Sequence, residues 1–127
     1  MAHPILLQDW TTIRGNALAT VVVQQEDSYA DLLGYQDVGI YLDVSDFVNS
    51  PQLQFHTSPT KEDAFFSLMT GATVTPSFTG LQTPLVYVKY AAAAVPLARF
   101  VRWRASGAAA LWSITFRVWL VGNPVRS

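Results

Sequence analysis

Few side chains in this sequence have the type and spacing that chemistry requires. The two histidines, His3 and His56, are far apart, and neither has neighbours that would complete a metal site or orient a nucleophile. Cysteine is absent, which excludes zinc–thiolate sites, iron–sulfur clusters and thiol nucleophiles. A glycine-rich phosphate loop and the serine motifs of hydrolases are also missing. The sequence therefore predicts a protein that is not an enzyme and that uses no cofactor and no metal.

Neighbouring carboxylates are the remaining source of acid–base chemistry. They occur at Asp43 and Asp46, at 26–27 and at 62–63, and glycoside hydrolysis needs two facing carboxylates. Acids this close in sequence on a strand or turn usually point apart or into water, so solvated charge is the better interpretation. Asp43, Asp46 and Asn49 offer oxygen ligands for calcium, but without the spacing of an EF-hand loop.

Arginines and aromatic residues form the best candidate binding site. Arg102 and Arg104 are two residues apart on a predicted strand, and a hairpin with the next strand would bring Arg117 to the same outward face. Guanidinium groups among aromatic rings are suited to binding an acidic protein patch or a sugar ring. Nucleic acid is a poorer candidate, because the chain has eight basic and nine acidic residues and therefore no net positive charge. The alternative is that these arginines pair with Asp37, Asp43 or their neighbours on an adjoining strand. The candidate interaction residues are Trp10, Phe100, Arg102, Arg104, Arg117 and Trp119.

Hydrophobic residues with a period of two predict the strands that position these side chains. The clearest alternation covers 112–120, and 38–44 and 101–105 show the same pattern. The connection 106–110 is short enough to join the last two strands as an antiparallel hairpin. Turn-forming residues separate further predicted strands at 10–14, 18–24, 53–57, 65–69 and 85–90.

About eight short strands and no long helix predict an all-β fold, an antiparallel β-sandwich or jelly roll. Residues 26–33 and 60–64 are each predicted to form a helical turn or a loop. A chain of 127 residues is the size of one domain, and it can bury a core without a disulfide or a metal. Residues 1–9 lack the alternation and are predicted to be an N-terminal arm, so 10–127 is the single β-sandwich domain.

The composition indicates assembly. Half of the residues are hydrophobic and 13% are charged, against roughly 25% charged in an average soluble domain. The uncharged stretch 64–88 is long enough to cross a bilayer, but it is too rich in threonine, proline and glycine for a lipid-facing helix. The first residues also lack the basic region of a secretory signal. We therefore expect the surplus apolar surface, especially 64–88, to contact sister copies rather than a membrane.

The charges are divided unevenly along the chain. Residues 1–63 contain all nine acids and two of the eight bases, for a net charge of −7, and residues 64–127 carry +6. Either the two halves interleave in one sandwich and neutralise each other across neighbouring strands, or the molecule has an acidic face and a basic face that orient it on a partner.

Four segments resemble small β-sandwich virion proteins of tailed bacteriophages. The matching motifs are LDVS at 42–45, PQLQFHTSP at 51–59, RFVR at 99–102 and WSITFRV at 112–118. They occur in the order typical of that group and cover about two-thirds of the chain. Residues 60–62 depart from the group, because Thr-Lys-Glu stands where an acidic, glycine-rich turn is usual. A weaker similarity, to discoidin-type domains, is confined to 98–102 and 116–122 and lacks their cysteines.

The resemblance implies a structural protein of the particle, most simply a capsid decoration protein or a head–tail accessory protein, without catalytic residues. The expected partners are sister copies in a homo-oligomer, with a trimer as one arrangement, and the major capsid protein or another virion protein. The expected location is the virion, assembled in the host cytoplasm. The alternative is a discoidin-like carbohydrate-binding module, for example on a phage tail, using Trp10 or Trp119 with Arg102 or Arg117.

Overall fold

The computed structural model describes residues 3–16, 21–49, 51–74, 85–90, 97–107 and 111–124. Within these ranges it contains nine β-strands and two short 3-10 turns. The strands are β1 (His3–Asn16), β2 (Val21–Val23), β3 (Ala30–Asp31), β4 (Tyr35–Val48), β5 (Gln52–Ser58), β6 (Ser67–Val74), β7 (Leu85–Tyr90), β8 (Phe100–Ser106) and β9 (Leu111–Pro124). The 3-10 turns are Glu26–Ser28 and Asp63–Phe65. No helix within the described ranges has the length and apolarity needed to cross a membrane.

The strands form two antiparallel sheets with jelly-roll connectivity. Sheet A has the strand order β1-β9-β4-β7, and sheet B has the order β2-β8-β5-β6, with β3 also paired to β8. Consecutive strands change sheet at most steps, as in the two Greek keys of a jelly roll. The predicted all-β sandwich is confirmed.

The predicted hairpin between the last two strands is wrong. β8 pairs with β2, β3 and β5, whereas β9 pairs with β1 and β4, so the connection after Ser106 passes from one sheet to the other. A four-residue connection suits either arrangement, and alternation fixes only which side of a strand faces the core. The two strands face each other across the core instead of sharing a ladder.

The first strand is longer than its hydrophobic pattern predicts. β1 begins at His3, so most of the predicted arm 1–9 belongs to an edge strand that pairs with β9. Register shifts between Leu6 and Gln8 and between Gln8 and Thr11 interrupt this pairing. These irregularities remove the regular alternation that would have marked the segment as a strand.

Inward residues of both sheets fill the core as the alternation predicts. On β9 these are Trp112, Ile114, Phe116, Val118 and Leu120, all buried. The ring of Trp103, from β8, meets the ring of Phe116 edge to face, with centroids 5.2 Å apart. This contact between large side chains of different sheets helps to fix how the sheets are stacked.

Trp112 lies at a point where the backbone of two other segments approaches closely. Gly15 is its partner on β1, and Gly107 precedes the connection to β9. A Cβ atom on Gly15 would overlap the indole ring, and one on Gly107 would lie 2.6 Å from it. Glycine at both positions makes room for this buried tryptophan.

Gly15→Ala is expected to lower the free energy of unfolding by about 2 kcal/mol or more, because the added methyl overlaps the Trp112 ring. Urea denaturation measures this loss. Gly34→Ala is the comparison: its φ of +93° strains alanine by about 1 kcal/mol, but its Cβ would meet no atom. The Gly15→Ala loss should shrink in a Trp112→Phe background, and an equal loss in both backgrounds would contradict the steric explanation.

Candidate functional site

The six predicted interaction residues lie on two opposite faces of the sandwich. Phe100, Arg102 and Arg104 belong to the outer face of sheet B, because the core takes the alternate residues of β8. Trp10, Arg117 and Trp119 belong to the outer face of sheet A. The single cluster that the hairpin would have made therefore does not form.

Exposed apolar side chains form a row across sheet A. The register places Trp119 of β9 opposite Leu6 on one side and opposite Tyr41 on the other. The three residues are 36%, 42% and 38% exposed, respectively. They are paired across adjacent strands of a rigid sheet, so they form one continuous surface.

A second row beside the first combines an aromatic ring with an ion pair. The guanidinium of Arg117 lies 4.9 Å from the centre of the Trp10 ring, and its Nη2 donates to Asp43 Oδ2 at 3.1 Å. Trp10 is 43% exposed. Arg117 Nε and Asp43 Oδ1 are buried without a hydrogen-bond partner. We call the five residues Leu6, Trp10, Tyr41, Arg117 and Trp119 the outer patch.

Sequence reasoning found three members of the outer patch and missed Leu6 and Tyr41. Tyr41 stands on the polar side of the alternation in β4, so its outward position was readable from the sequence. Leu6 lies in the predicted arm 1–9, where the sequence shows no alternation that would indicate its outward position. The predicted alternative, in which arginines pair with acids of an adjoining strand, is confirmed for Arg117 and Asp43.

Arg102 is a buried clamp on the outer face of sheet B. It is 5% exposed, and its guanidinium lies 3.9 Å from the centre of the Phe66 ring. Its Nη1 donates to the Tyr29 hydroxyl at 2.9 Å, and its Nη2 donates to Asp63 Oδ1 at 2.7 Å. Tyr29 and Phe66 themselves meet edge to face. Arg102 thus fastens two loops to the sheet, a structural contact rather than the exposed partner-binding role predicted for it.

Phe100 is also covered. The ammonium of Lys61 and the guanidinium of Arg99 lie 5.5 Å and 5.1 Å from the centre of its ring. Arg99 donates two hydrogen bonds to the Asp31 carboxylate, and the pKa of Asp31 falls below its ordinary value chiefly because of this bonding. The Phe100 ring therefore packs beneath these two cationic groups, which cover it.

Next to the clamp, β5 and β8 place His56 opposite Arg102 and Gln54 opposite Arg104. Burial lowers the pKa of His56 from its ordinary 6.5 to about 4, and the charges of Arg104 and Arg102 act in the same direction. His56 is consequently a neutral, buried group on the outer face of sheet B at neutral pH and not a charged ligand for a partner. Arg104 is half-buried, and its Nε has no hydrogen-bond partner.

Every ion pair described joins the acidic half of the sequence to the basic half. These pairs are Arg99–Asp31, Arg102–Asp63 and Arg117–Asp43. They support the interleaved interpretation of the charge division, in which acids from 1–63 neutralise arginines from 64–127 on neighbouring elements. Among the described residues, no three histidines or carboxylates are grouped as metal ligands.

The uncharged stretch 64–88 is only partly described. Phe65 and Leu68 from it are exposed large apolar side chains, and β7 lies beside β4 at the edge of sheet A. Residues 75–84, which make up the centre of the predicted contact surface, lie outside the described residues.

Comparisons with known proteins show the fold. No family model matches the chain, and no curated protein is significantly similar to it in sequence. The K1 cleaved adhesin domain of Lys-gingipain from Porphyromonas gingivalis W83 has a TM-score of 0.54 at 10% identity, covering 98% of this chain and 99% of that one.

Two virus structures have the same fold in part of their chains. The infectious bursal disease virus Gx strain gives a TM-score of 0.54 at 8% identity, and the VP2 subviral particle of infectious bursal disease virus gives 0.51 at 9%. Each match covers 95% of this chain and 32% of the viral chain. This chain thus spans about a third of the viral chain length. The likeness is not specific to tailed bacteriophages.

Arg102→Ala is expected to lower the free energy of unfolding by about 2–4 kcal/mol, because it empties the space beside Phe66 and releases both loops. Asp63→Asn should cost less than about 1 kcal/mol, since the Asp63 side chain is 85% exposed and its charge is screened. Arg104→Ala is the matched control from the same strand face. Urea denaturation ranks the three variants, and equal losses for Arg102→Ala and Arg104→Ala would contradict the clamp.

His56 is expected to make the protein less stable in acid. The unfolded chain binds a proton at His56 near pH 6.5, whereas the folded chain binds it only near pH 4. The contribution of neutral His56 to the free energy of unfolding is therefore complete above pH 6.5 and is lost as the pH falls toward 4. The expected loss is about 1–3 kcal/mol. Urea denaturation between about pH 7 and pH 4 measures it. His56→Gln should remove this component while His3→Gln retains it, and an unchanged pH profile in His56→Gln would contradict the assignment.

Proposed function

We propose that this protein is a non-enzymatic structural component of a virus particle, a capsid decoration protein of a tailed bacteriophage that acts through repeated protein–protein contacts. The outer patch carries the proposal. It presents two exposed tryptophans, a tyrosine and a leucine on one face of sheet A, together with one arginine. Tryptophan, tyrosine and arginine are the residues that most often dominate the binding energy of protein interfaces.

The dimensions of sheet A suit such an interface. β1, β4 and β9 are each 14 residues long, and with a rise of about 3.3 Å per residue and strands about 4.8 Å apart they present a face of roughly 700 Å². This is close to the roughly 800 Å² per partner of a stable protein interface. A sheet loses little conformational freedom on docking, so less of the contact energy is spent on ordering.

The fold and the charges support the same role. Jelly rolls recur in capsid proteins, and the VP2 subviral particle shares this fold at low identity. That support is an analogy of fold. Two of the carboxylates considered for acid–base chemistry, Asp43 and Asp63, pair with arginines. A contact of modest strength becomes effective when many copies bind to one lattice.

The test compares binding of purified protein to particles from the phage whose genome encodes the chain. Wild-type protein should cosediment with the particles. Light scattering should also detect its self-association at about 100 μM, a concentration at which interfaces as weak as Kd ~0.1 mM are populated. Combined Tyr41→Ser and Trp119→Ser substitutions should abolish particle binding. Leu33→Ser, which alters a 71% exposed leucine outside the patch, is the matched control. Wild-type protein that stays monomeric and does not bind particles would overturn the proposal.

A carbohydrate-binding module is the second candidate, favoured by the exposure of Trp10 and Trp119 beside Arg117. Aromatic faces next to a guanidinium can stack on a sugar ring and donate hydrogen bonds to it. A glycan array with Trp119→Ala as the control separates the candidates. Tryptophan-dependent binding of a specific glycan would favour the module and count against a purely structural role.

A further inference from the structure

A cleft of about 340 Å³ opens between the edges of the two sheets. β1 forms one wall, and β2 with the following 3-10 turn forms the other. Its size is at the lower end of the roughly 300–1,000 Å³ of small-molecule sites. The described part of the lining includes Gln8, Thr11, Ile13, Val22, Gln25 and Ser28.

The irregular register of β1 directs polar groups into this cleft. Gln8 pairs with Val118 and Thr11 with Phe116, and both partners are buried residues that point into the sandwich. Residues three apart on a regular strand would point to opposite sides. The shift between Gln8 and Thr11 turns both side chains inward, which is a common effect of bulges beside binding sites.

Buried and half-buried hydrogen bonds hold the floor of the cleft. The Trp103 indole Nε1 donates to Gln8 Oε1 at 3.0 Å. The buried Gln24 amide bridges the walls: its Nε2 donates to the carbonyl oxygens of Leu7 at 2.8 Å and Ser28 at 2.9 Å. Both sides of the cleft are therefore fixed before any ligand arrives, which lowers the entropic cost of binding.

Among the described residues, the lining is polar and contains no charged side chain. The side chains of Thr11, Gln25 and Ser28 make no hydrogen bond to another described residue, so their hydroxyl and amide groups are available. Val22 and Ile13 supply apolar surface next to them. A charged ligand would lose hydration here without gaining a counter-charge. Hydroxyl groups of a neutral ligand can pair with all three polar side chains.

We propose that this cleft binds a neutral saccharide of one or two sugar units. Its hydroxyls would pair with Thr11, Gln25 and Ser28, and its C–H faces would lie against the aliphatic residues. An extended peptide is a poorer fit, because the two register shifts interrupt the β1 edge on which a further strand would have to pair. The site is independent of the outer patch and of the proposed role in a particle.

The experiment titrates the whole protein with glucose, galactose, mannose, N-acetylglucosamine and their β-linked disaccharides. Each hexose is compared with its uronic acid, which adds a negative charge. Isothermal calorimetry gives the affinity, and the indole N–H resonance of Trp103 reports occupancy of the cleft. We expect at least one neutral sugar to bind and to shift that resonance, with its uronic acid at least about tenfold weaker. Thr11→Val and Ser28→Ala should each weaken binding about five- to tenfold.

Trp119→Ala is the control, because it changes the outer patch and leaves the cleft intact. Unchanged sugar affinity in this variant supports the cleft, whereas sugar binding that is lost in Trp119→Ala and kept in Thr11→Val would overturn it in favour of the outer patch. Absence of binding by every sugar up to about 50 mM, well beyond a millimolar Kd, would also overturn it. If a strand-forming threonine–valine peptide shifts the Trp103 resonance and the sugars do not, the ligand of the cleft is a peptide and the saccharide proposal is wrong. None of these results depends on particle binding.

Discussion

The register of β9 is the constraint on which most of this structure depends. β9 is paired along its length with β1 and β4, so it fixes which residues of three strands share a side. Its inward residues are the centre of the core, and its outward residues Arg117 and Trp119 organise the outer patch. A slip of one residue would move Phe116 to the surface and Arg117 into the core. The glycine at position 15 and the indole of Trp112 fit together only in the observed register.

Arginines attach the irregular parts of the chain to this frame. Arg102 holds the loops that carry Tyr29 and Asp63, and Arg99 holds the short strand β3 through Asp31. Although few residues of the sequence are charged, these ion pairs place basic groups from the second half of the chain against acidic groups from the first half. The outer patch has one such pair, Arg117 with Asp43, and its remaining members are uncharged. That leaves a largely apolar, neutral face available for contact.

The two candidate surfaces differ in shape and chemistry. The outer patch is largely aromatic and continuous across three strands, which suits another protein surface. The described lining of the cleft at the sheet edges carries hydroxyl and amide groups and no charge, which suits a small hydroxylated ligand. They lie on different parts of the sandwich, so one molecule could use both. A particle protein that also holds a sugar would connect assembly with recognition of a surface.

The sequence by itself determined the all-β class, the alternation of the core residues and most strand positions, because burial of one side of a strand leaves a period of two. It also determined that Tyr41 and Trp119 face outward. Only the tertiary structure decided which strands share a sheet, because the short connection before β9 suits a hairpin and a crossing equally well. That choice separated Arg102 from Arg117 and made the first a buried clamp and the second part of an exposed patch. The cleft depended on tertiary structure as well, because the register shifts that turn Gln8 and Thr11 inward exist only in the pairing of β1 with β9.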